Sequence, residues 1–181
     1  DLKLSRGLGD VYKRQLYSHA VSLRDLGCTQ SPMNAWITLN GVETLPLRME
    51  RHVENAQKVA GFLQQHPSVE WVSYAGLSSS PYYQLAQKYL QGKAGSVFTF
   101  GIRGGYESGL RLLEKVELFS HVSNIGDSRS LILHPASTTH RQLSDEQRLT
   151  AGAGPEVIRL SVGIESAEDL IADLEQALEG L

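Results

Sequence analysis

With only one cysteine, Cys28, among 181 residues, no internal disulfide can form, which fits a reducing compartment. No apolar run approaches the roughly 20 residues that span a bilayer, and no signal-peptide pattern opens the chain. Basic charge is sparse and scattered: 17 Lys and Arg stand against 20 Asp and Glu, a net −3 with no basic stripe. Nucleic-acid binding therefore lacks electrostatic support. Internal repeats, low-complexity segments and a Walker motif are missing too. Gly101-x-x-Gly104-Gly105 has the wrong spacing for a dinucleotide fingerprint and reads as turn glycines. What remains is an ordinary globular composition, 41% apolar and 20% charged, long enough to bury a real core. A soluble, cytoplasmic protein is the expectation.

Hydrophobic spacing lays out the elements. Residues 1–15 carry no clear period and are expected to form a poorly packed leader of doubtful origin. Leu16, Ala20, Leu23 and Leu26 recur at helical spacing until Gly27 breaks the run. Ser31-Pro32 is a helix start, since the serine oxygen caps an orphan amide and proline at the first position loses no needed donor. Met33, Trp36 and Ile37 mark the face of that helix, and Pro46 predicts a break near residues 43–45. A second helix follows to about His66, its face marked by Met49, Val53, Ala56 or Val59-Ala60, and Leu63. So much helix beside one domain's worth of chain suggests that a further domain precedes it.

Val69–Tyr74 alternates and is rich in β-formers, predicting a strand; Pro81 opens a short helix to Leu90. Ser96–Ile102 is the clearest strand, with Phe98, Phe100 and Ile102 on one face. Tyr106–Val116 reads as an amphipathic helix, and Phe119–Val122 and Ser130–Leu133 as short strands. Ser144 starts a short helix. Ile158, Leu160 and Val162 alternate with Val157, Arg159 and Ser161 in a final strand, and Ser166 caps a last helix carrying Leu170, Leu174 and Leu178. This order predicts an α+β fold, a mostly antiparallel sheet covered by helices.

Few constellations carry chemistry. His134 and His140 lie six apart with no cysteine or clustered carboxylate, which is not a zinc spacing, so no metal site is expected. Ser137, His140 and Asp145 spell a triad on paper, but no nucleophile-elbow motif supports it. Asp145-Glu146 and Glu168-Asp169 suit helix starts, where the dipole favours negative charge. Arg159, placed inside a strand, is the unusual residue. Its planar fork suits a carboxylate, supplied either by a ligand or by a neighbouring Glu or Asp on a solvent face.

A resemblance turns this toward a ligand. His134-Pro135-Ala136-Ser137-Thr138-Thr139-His140, then Ile158-Arg159-Leu160-Ser161-Val162-Gly163-Ile164-Glu165, resembles the C-terminal domain of the Cys/Met-metabolism enzymes that depend on pyridoxal phosphate. The likeness runs from about Leu23 to Leu178. It is greatest to the branch that replaces the acetoxy group of O-acetylhomoserine with sulfide, releasing acetate; methionine γ-lyases, cystathionine synthases and cystathionine lyases are the near alternatives. A non-catalytic interaction domain is the alternative from a different class.

The resemblance implies residues 16–66 as the end of a large domain and a long interdomain helix, and residues 67–181 as the small domain of the transferase fold. It implies that Arg159 holds the substrate's α-carboxylate. Asn124 and Ile125 stand in the place of the family's Ser-Leu-Gly-Gly loop and inherit its orienting role. Thr139 is expected near cofactor and substrate, unless its hydroxyl simply bonds backbone in a turn. The six lysines Lys3, Lys13, Lys58, Lys88, Lys93 and Lys115 lack the family's Ser-x-Thr-Lys context, so no catalytic Schiff-base lysine is assigned. The chain is thus expected to be a C-terminal piece, inactive alone. The expected partners are a small amino-acid substrate, sulfide or a thiol, and sister subunits of a homotetramer, with no nucleic acid and no membrane.

Overall fold

A computed structural model describes residues 8–181. Residues 1–7 of the expected leader lie outside them. The chain divides into two compact units, one ending at Thr44 and one spanning Leu45–Leu181.

The first unit is helical. Helix α1 (Leu8–Tyr17) runs into a π-helical turn (Ser18–Leu23) and a short α2 (Arg24–Leu26). The leader thus becomes helical earlier than its lack of period implied. After Gly9 it contains neither glycine nor proline to stop a helix. Gly27 closes the run at φ 64°, where its missing Cβ avoids strain. Ser31 caps α3 (Pro32–Glu43) by accepting a hydrogen bond from the Asn34 amide at 3.2 Å. Met33, Trp36 and Ile37 are exposed rather than packed in this structure, since no residue of α3 is buried.

The second unit holds the sheet. Helix α4 (Leu45–Gln65) begins beyond the expected break and carries Pro46 in its first turn, where no intrahelical donor is lost. Strand β1 (Val69–Ser73) follows, then α5 (Tyr83–Leu90), β2 (Val97–Ile102) and α6 (Gly105–Lys115). After β3 (Leu131–Leu133) come α7 (Asp145–Thr150), β4 (Val157–Ser161) and α8 (Ala167–Leu178). The sheet order is β1-β2-β4-β3 and every pairing is antiparallel. The expected α+β fold is observed.

The strand periodicity decides which face is core. Phe98, Phe100 and Ile102 of β2, Ile132 of β3, and Ile158 and Leu160 of β4 join Ala56, Val59, Ala60 and Leu63 of α4, Leu112 of α6, and Leu170, Leu174 and Leu178 of α8. Fully burying each large side chain of this set stabilises the fold by roughly 1.5–3 kcal/mol. Helix ends are set as the sequence suggests. Ser144 and Gln147 form a reciprocal capping box on α7, and Ser166 accepts from the Asp169 amide on α8. Asp145-Glu146 and Glu168-Asp169 sit in those first turns, beside the positive dipole ends.

One expected strand is absent. Residues 119–122 make only an isolated bridge, Ser120 with Leu131. The amides of Glu117, Leu118 and Phe119 turn instead to the carboxylate of Asp173 on α8, so no ladder starts there.

The face of α4 also differs from expectation. Beside Ala56, Val59, Ala60 and Leu63 it buries His52 and Asn55, while Met49 and Val53 are half-buried. The polar pair is tolerated because it ties α4 to the end of β4. His52 Nδ1 lies 2.6 Å from the Val162 carbonyl, and Asn55 Nδ2 donates to the carbonyls of Gly163 and Glu165 at 3.0 and 2.8 Å. Gly163 is required here by crowding, since a Cβ would overlap the Ser128 carbonyl oxygen.

Candidate functional site

Arg159 sits in the middle of β4 on the sheet face opposite α4, α6 and α8. Its cross-strand partners are Thr99 on β2 and Leu133 on β3. The side chain is half-buried, and Nη2 donates to the backbone carbonyl of Asn124 at 2.9 Å. Among the described residues no carboxylate pairs with it. That decides against the self-paired alternative: the guanidinium keeps most of its fork unengaged.

The nearest acid in the Asn124 turn explains why. Asp127 is engaged by Arg129, whose backbone N–H lies 3.1 Å from Oδ1 and whose Nη2 lies 3.3 Å from Oδ2. Hydrogen bonds from the Arg129 guanidinium, then from its amide, hold the Asp127 carboxyl below its ordinary range. Gly126 supplies the positive φ, 76°, that lets this turn reverse. The turn is pinned to the end of β4. Ile164 N–H donates to Ser128 O at 2.9 Å, Gly163 N–H donates to Ser130 Oγ at 2.8 Å, and Ser130 in turn donates to Glu165 from both its amide and its hydroxyl. Asn124 and Ile125 are exposed at its rim.

Thr139 is exposed and its Oγ1 lies 2.8 Å from His140 Nδ1; no hydrogen bond joins it to Arg159 or to the Asn124 turn. The structure thus brings Arg159 and Asn124 into contact but not Thr139. The paper triad does not assemble either. Ser137 Oγ lies 3.0 Å from His134 rather than from His140, and Asp145 pairs with Arg148. Among the described residues no cluster of His, Cys, Asp or Glu could hold a metal.

His134 is structural. It is fully buried, with Nε2 2.9 Å from the Pro155 carbonyl and Nδ1 3.0 Å from Ser137 Oγ, so it joins the end of β3 to the turn before β4. Burial lowers its pKa against the partly offsetting Pro155 bond, and the charges of His121 and Arg148 lower it further. A histidine held neutral when folded but free to protonate near pH 6.5 when unfolded stabilises the fold only above that pH. Stability should therefore fall as pH drops from 7 toward 5, above the carboxylate range. The expected result is a Tm that declines over this window in the parent and declines less in His134→Gln. Parallel Tm curves for the two proteins would exclude the linkage.

Sequence reasoning missed Ser161, which shares the face of Arg159. It is buried, 2% exposed, and its hydroxyl has no hydrogen-bond partner among the described residues. It missed His52 and Asn55 as well, although their three-residue spacing on the α4 core face marked them as polar groups needing partners.

Lys13, Lys58, Lys88, Lys93 and Lys115 are all exposed. Lys58 and Lys93 pair with Glu54 and Glu50, and Lys115 donates to the Glu179 carbonyl. No described helix is long and apolar enough to cross a membrane.

Comparison with known proteins identifies relatives of the chain. The chain is 53% identical over 156 residues to O-acetyl-L-homoserine sulfhydrylase 1 of Thermus thermophilus, covering 86% of this chain and 37% of that protein. It is 52% identical over 167 residues to the O-acetyl-L-homoserine sulfhydrylase of Leptospira meyeri, covering 92% and 38%. A crystal structure from Campylobacter jejuni, described as an O-acetylhomoserine (thiol)-lyase with a pyridoxyl-lysine monophosphate, superposes with a TM-score of 0.83 at 46% identity, covering 91% of this chain and 39% of that one. The chain thus spans well under half the length of these relatives. Residues 8–179 match the family described as Cys/Met metabolism PLP-dependent enzyme. This chain belongs to that family.

Proposed function

We propose that the chain is the C-terminal part of a pyridoxal-phosphate-dependent O-acetylhomoserine sulfhydrylase, which makes homocysteine from O-acetylhomoserine and sulfide by replacement at the γ carbon. Residues 16–66 end the large domain and form the connecting helix, and residues 67–181 are the small domain. The observation that carries the reading is the Arg159 guanidinium on the sheet face opposite α4 and α8, bonded to the Asn124 carbonyl and lacking any carboxylate partner among the described residues. Names of relatives at 52 and 53% identity support the substrate assignment.

When bound, the cofactor supplies the electron sink for chemistry at the substrate's α and β carbons. The lysine and phosphate cradle it needs would belong to an N-terminal domain, and the residues of this chain act on the substrate side. Arg159 grips the α-carboxylate with two parallel N–H···O bonds, so the substrate lies in one orientation. Asn124 fixes the fork from behind and Ile125 shapes the rim, while Thr139, bonded to His140, would meet the substrate only after a change of rotamer. The complete enzyme is a cytoplasmic homotetramer in this reading.

The test is an assay of the complete protein loaded with cofactor. Homocysteine should form from O-acetylhomoserine plus sulfide, with little turnover of methionine or cystathionine. Faster breakdown of methionine to a 2-oxo acid, ammonia and methanethiol would transfer the chain to the lyase branch. The isolated 181-residue chain should show neither turnover nor cofactor absorbance.

A further inference from the structure

We infer that Ser161 is a positioning residue for Arg159, an inference that rests on the carboxylate role proposed for that arginine. Three observations point to it. Arg159 and Ser161 lie two apart on β4, so their side chains leave the same face of the sheet. The turn that Arg159 reaches is anchored at the far end of the same strand. Leu131 pairs with Ser161, Gly163 N–H donates to Ser130 Oγ, and Ile164 N–H donates to Ser128 O. Arg159 Nη2 donates to Asn124 O, in the turn whose later residues Ser128 and Ser130 are tied to Ile164 and Gly163 just beyond Ser161.

The third observation is the serine itself. Its hydroxyl is buried with no partner among the described residues, an arrangement that costs free energy unless something else compensates for it. Arg159, two residues away on the same face, has spare N–H donors, and Nε–H is the one bonded closest to the backbone. In the substrate-loaded site the Ser161 oxygen accepts from Arg159 Nε–H. The terminal Nη1 and Nη2 are then directed outward, in the plane that meets a carboxylate bidentately. Ser161 does not touch the substrate; it fixes the rotation of the group that does.

A hydroxyl that serves only the loaded state has a signature that a structural serine lacks. In the complete, cofactor-loaded enzyme, Ser161→Ala should leave the substrate-free Tm equal or higher, because an unpartnered buried hydroxyl has been removed. The same variant should raise the KM for O-acetylhomoserine about tenfold, the equivalent of one hydrogen bond to a charged group, with a smaller fall in kcat. Ser161→Thr, which keeps the hydroxyl and suits a strand, should restore KM to within about threefold of the parent. A Tm that falls in Ser161→Ala with KM unchanged would overturn the inference and leave a packing role. Arg159→Ala measured alongside separates the two layers. If that variant leaves KM unchanged, the carboxylate reading fails; if it raises KM while Ser161→Ala does not, only the positioning role fails.

Discussion

Arg159→Ala in the complete enzyme should reduce kcat/KM for O-acetylhomoserine by about a thousandfold, most of it as a rise in KM. The fork offers two parallel bonds to a carboxylate, and hydrogen bonds to charged groups contribute about 1.5–3 kcal/mol each. Two of them amount to about 3–6 kcal/mol, or roughly two to four powers of ten in kcat/KM. The carboxylate is bound in both ground and transition states, so KM should carry the larger share. A smaller fall in kcat, about tenfold, should accompany it because an unclamped substrate samples misaligned poses. Arg159→Lys separates charge from shape: the ammonium keeps attraction but not the planar pair of donors, so its kcat/KM should lie between parent and alanine. Folding should barely respond, because the one bond lost, to Asn124 O, lies at an exposed site. Unchanged KM in Arg159→Ala would remove the carboxylate role altogether.

Strand β4 was legible because its period is two and its apolar set, Ile158, Leu160 and Val162, is unbroken, leaving Arg159 necessarily on the opposite face. Which carboxylate that arginine would meet was not legible. Asp127, three residues beyond Asn124, is engaged by Arg129 instead, a contact between an exposed arginine and a half-buried carboxylate that no periodicity encodes. The same limit applies to α4. Its apolar spacing located the core stripe, yet His52 and Asn55 entered that stripe because carbonyls at residues 162, 163 and 165, more than a hundred positions away in sequence, needed donors or a ring nitrogen. Thr139 marks the converse. A resemblance can place a residue near a site by motif, while the local hydrogen bond to His140 sets where its hydroxyl points in this structure. The misread strand at residues 119–122 has the same origin, a long-range acceptor, and leads to the strongest stability expectation.

Asp173→Ala should destabilise the C-terminal unit by about 3–4 kcal/mol. The residue lies on α8 between Leu170 and Leu174 and is buried to 7% exposure, a position where a carboxylate is costly unless its oxygens are satisfied. They are: the amides of Glu117, Leu118 and Phe119 donate at 2.8, 2.9 and 3.1 Å, and Gln176 Nε2 adds a fourth bond at 3.1 Å. One side chain therefore terminates the segment after α6 and docks it onto α8. Alanine leaves four donors, three of them backbone amides, without their acceptor. The Phe119 amide, buried with its residue, bears the full penalty, whereas Glu117 and Leu118 recover part of theirs from water. For a unit of this size the change corresponds to a fall in Tm of roughly 10 °C. Asp173→Asn keeps one carbonyl oxygen but turns an amide donor toward other donors, so it should lie between alanine and parent. Hydrogen exchange localises the effect: amides 117–119 should exchange much faster in Asp173→Ala while those of β2 keep their relative protection. A Tm shift below about 2 °C, or uniform loss of protection across the sheet, would mean that the carboxylate does not hold this segment and that the ladder failed at residue 119 for another reason.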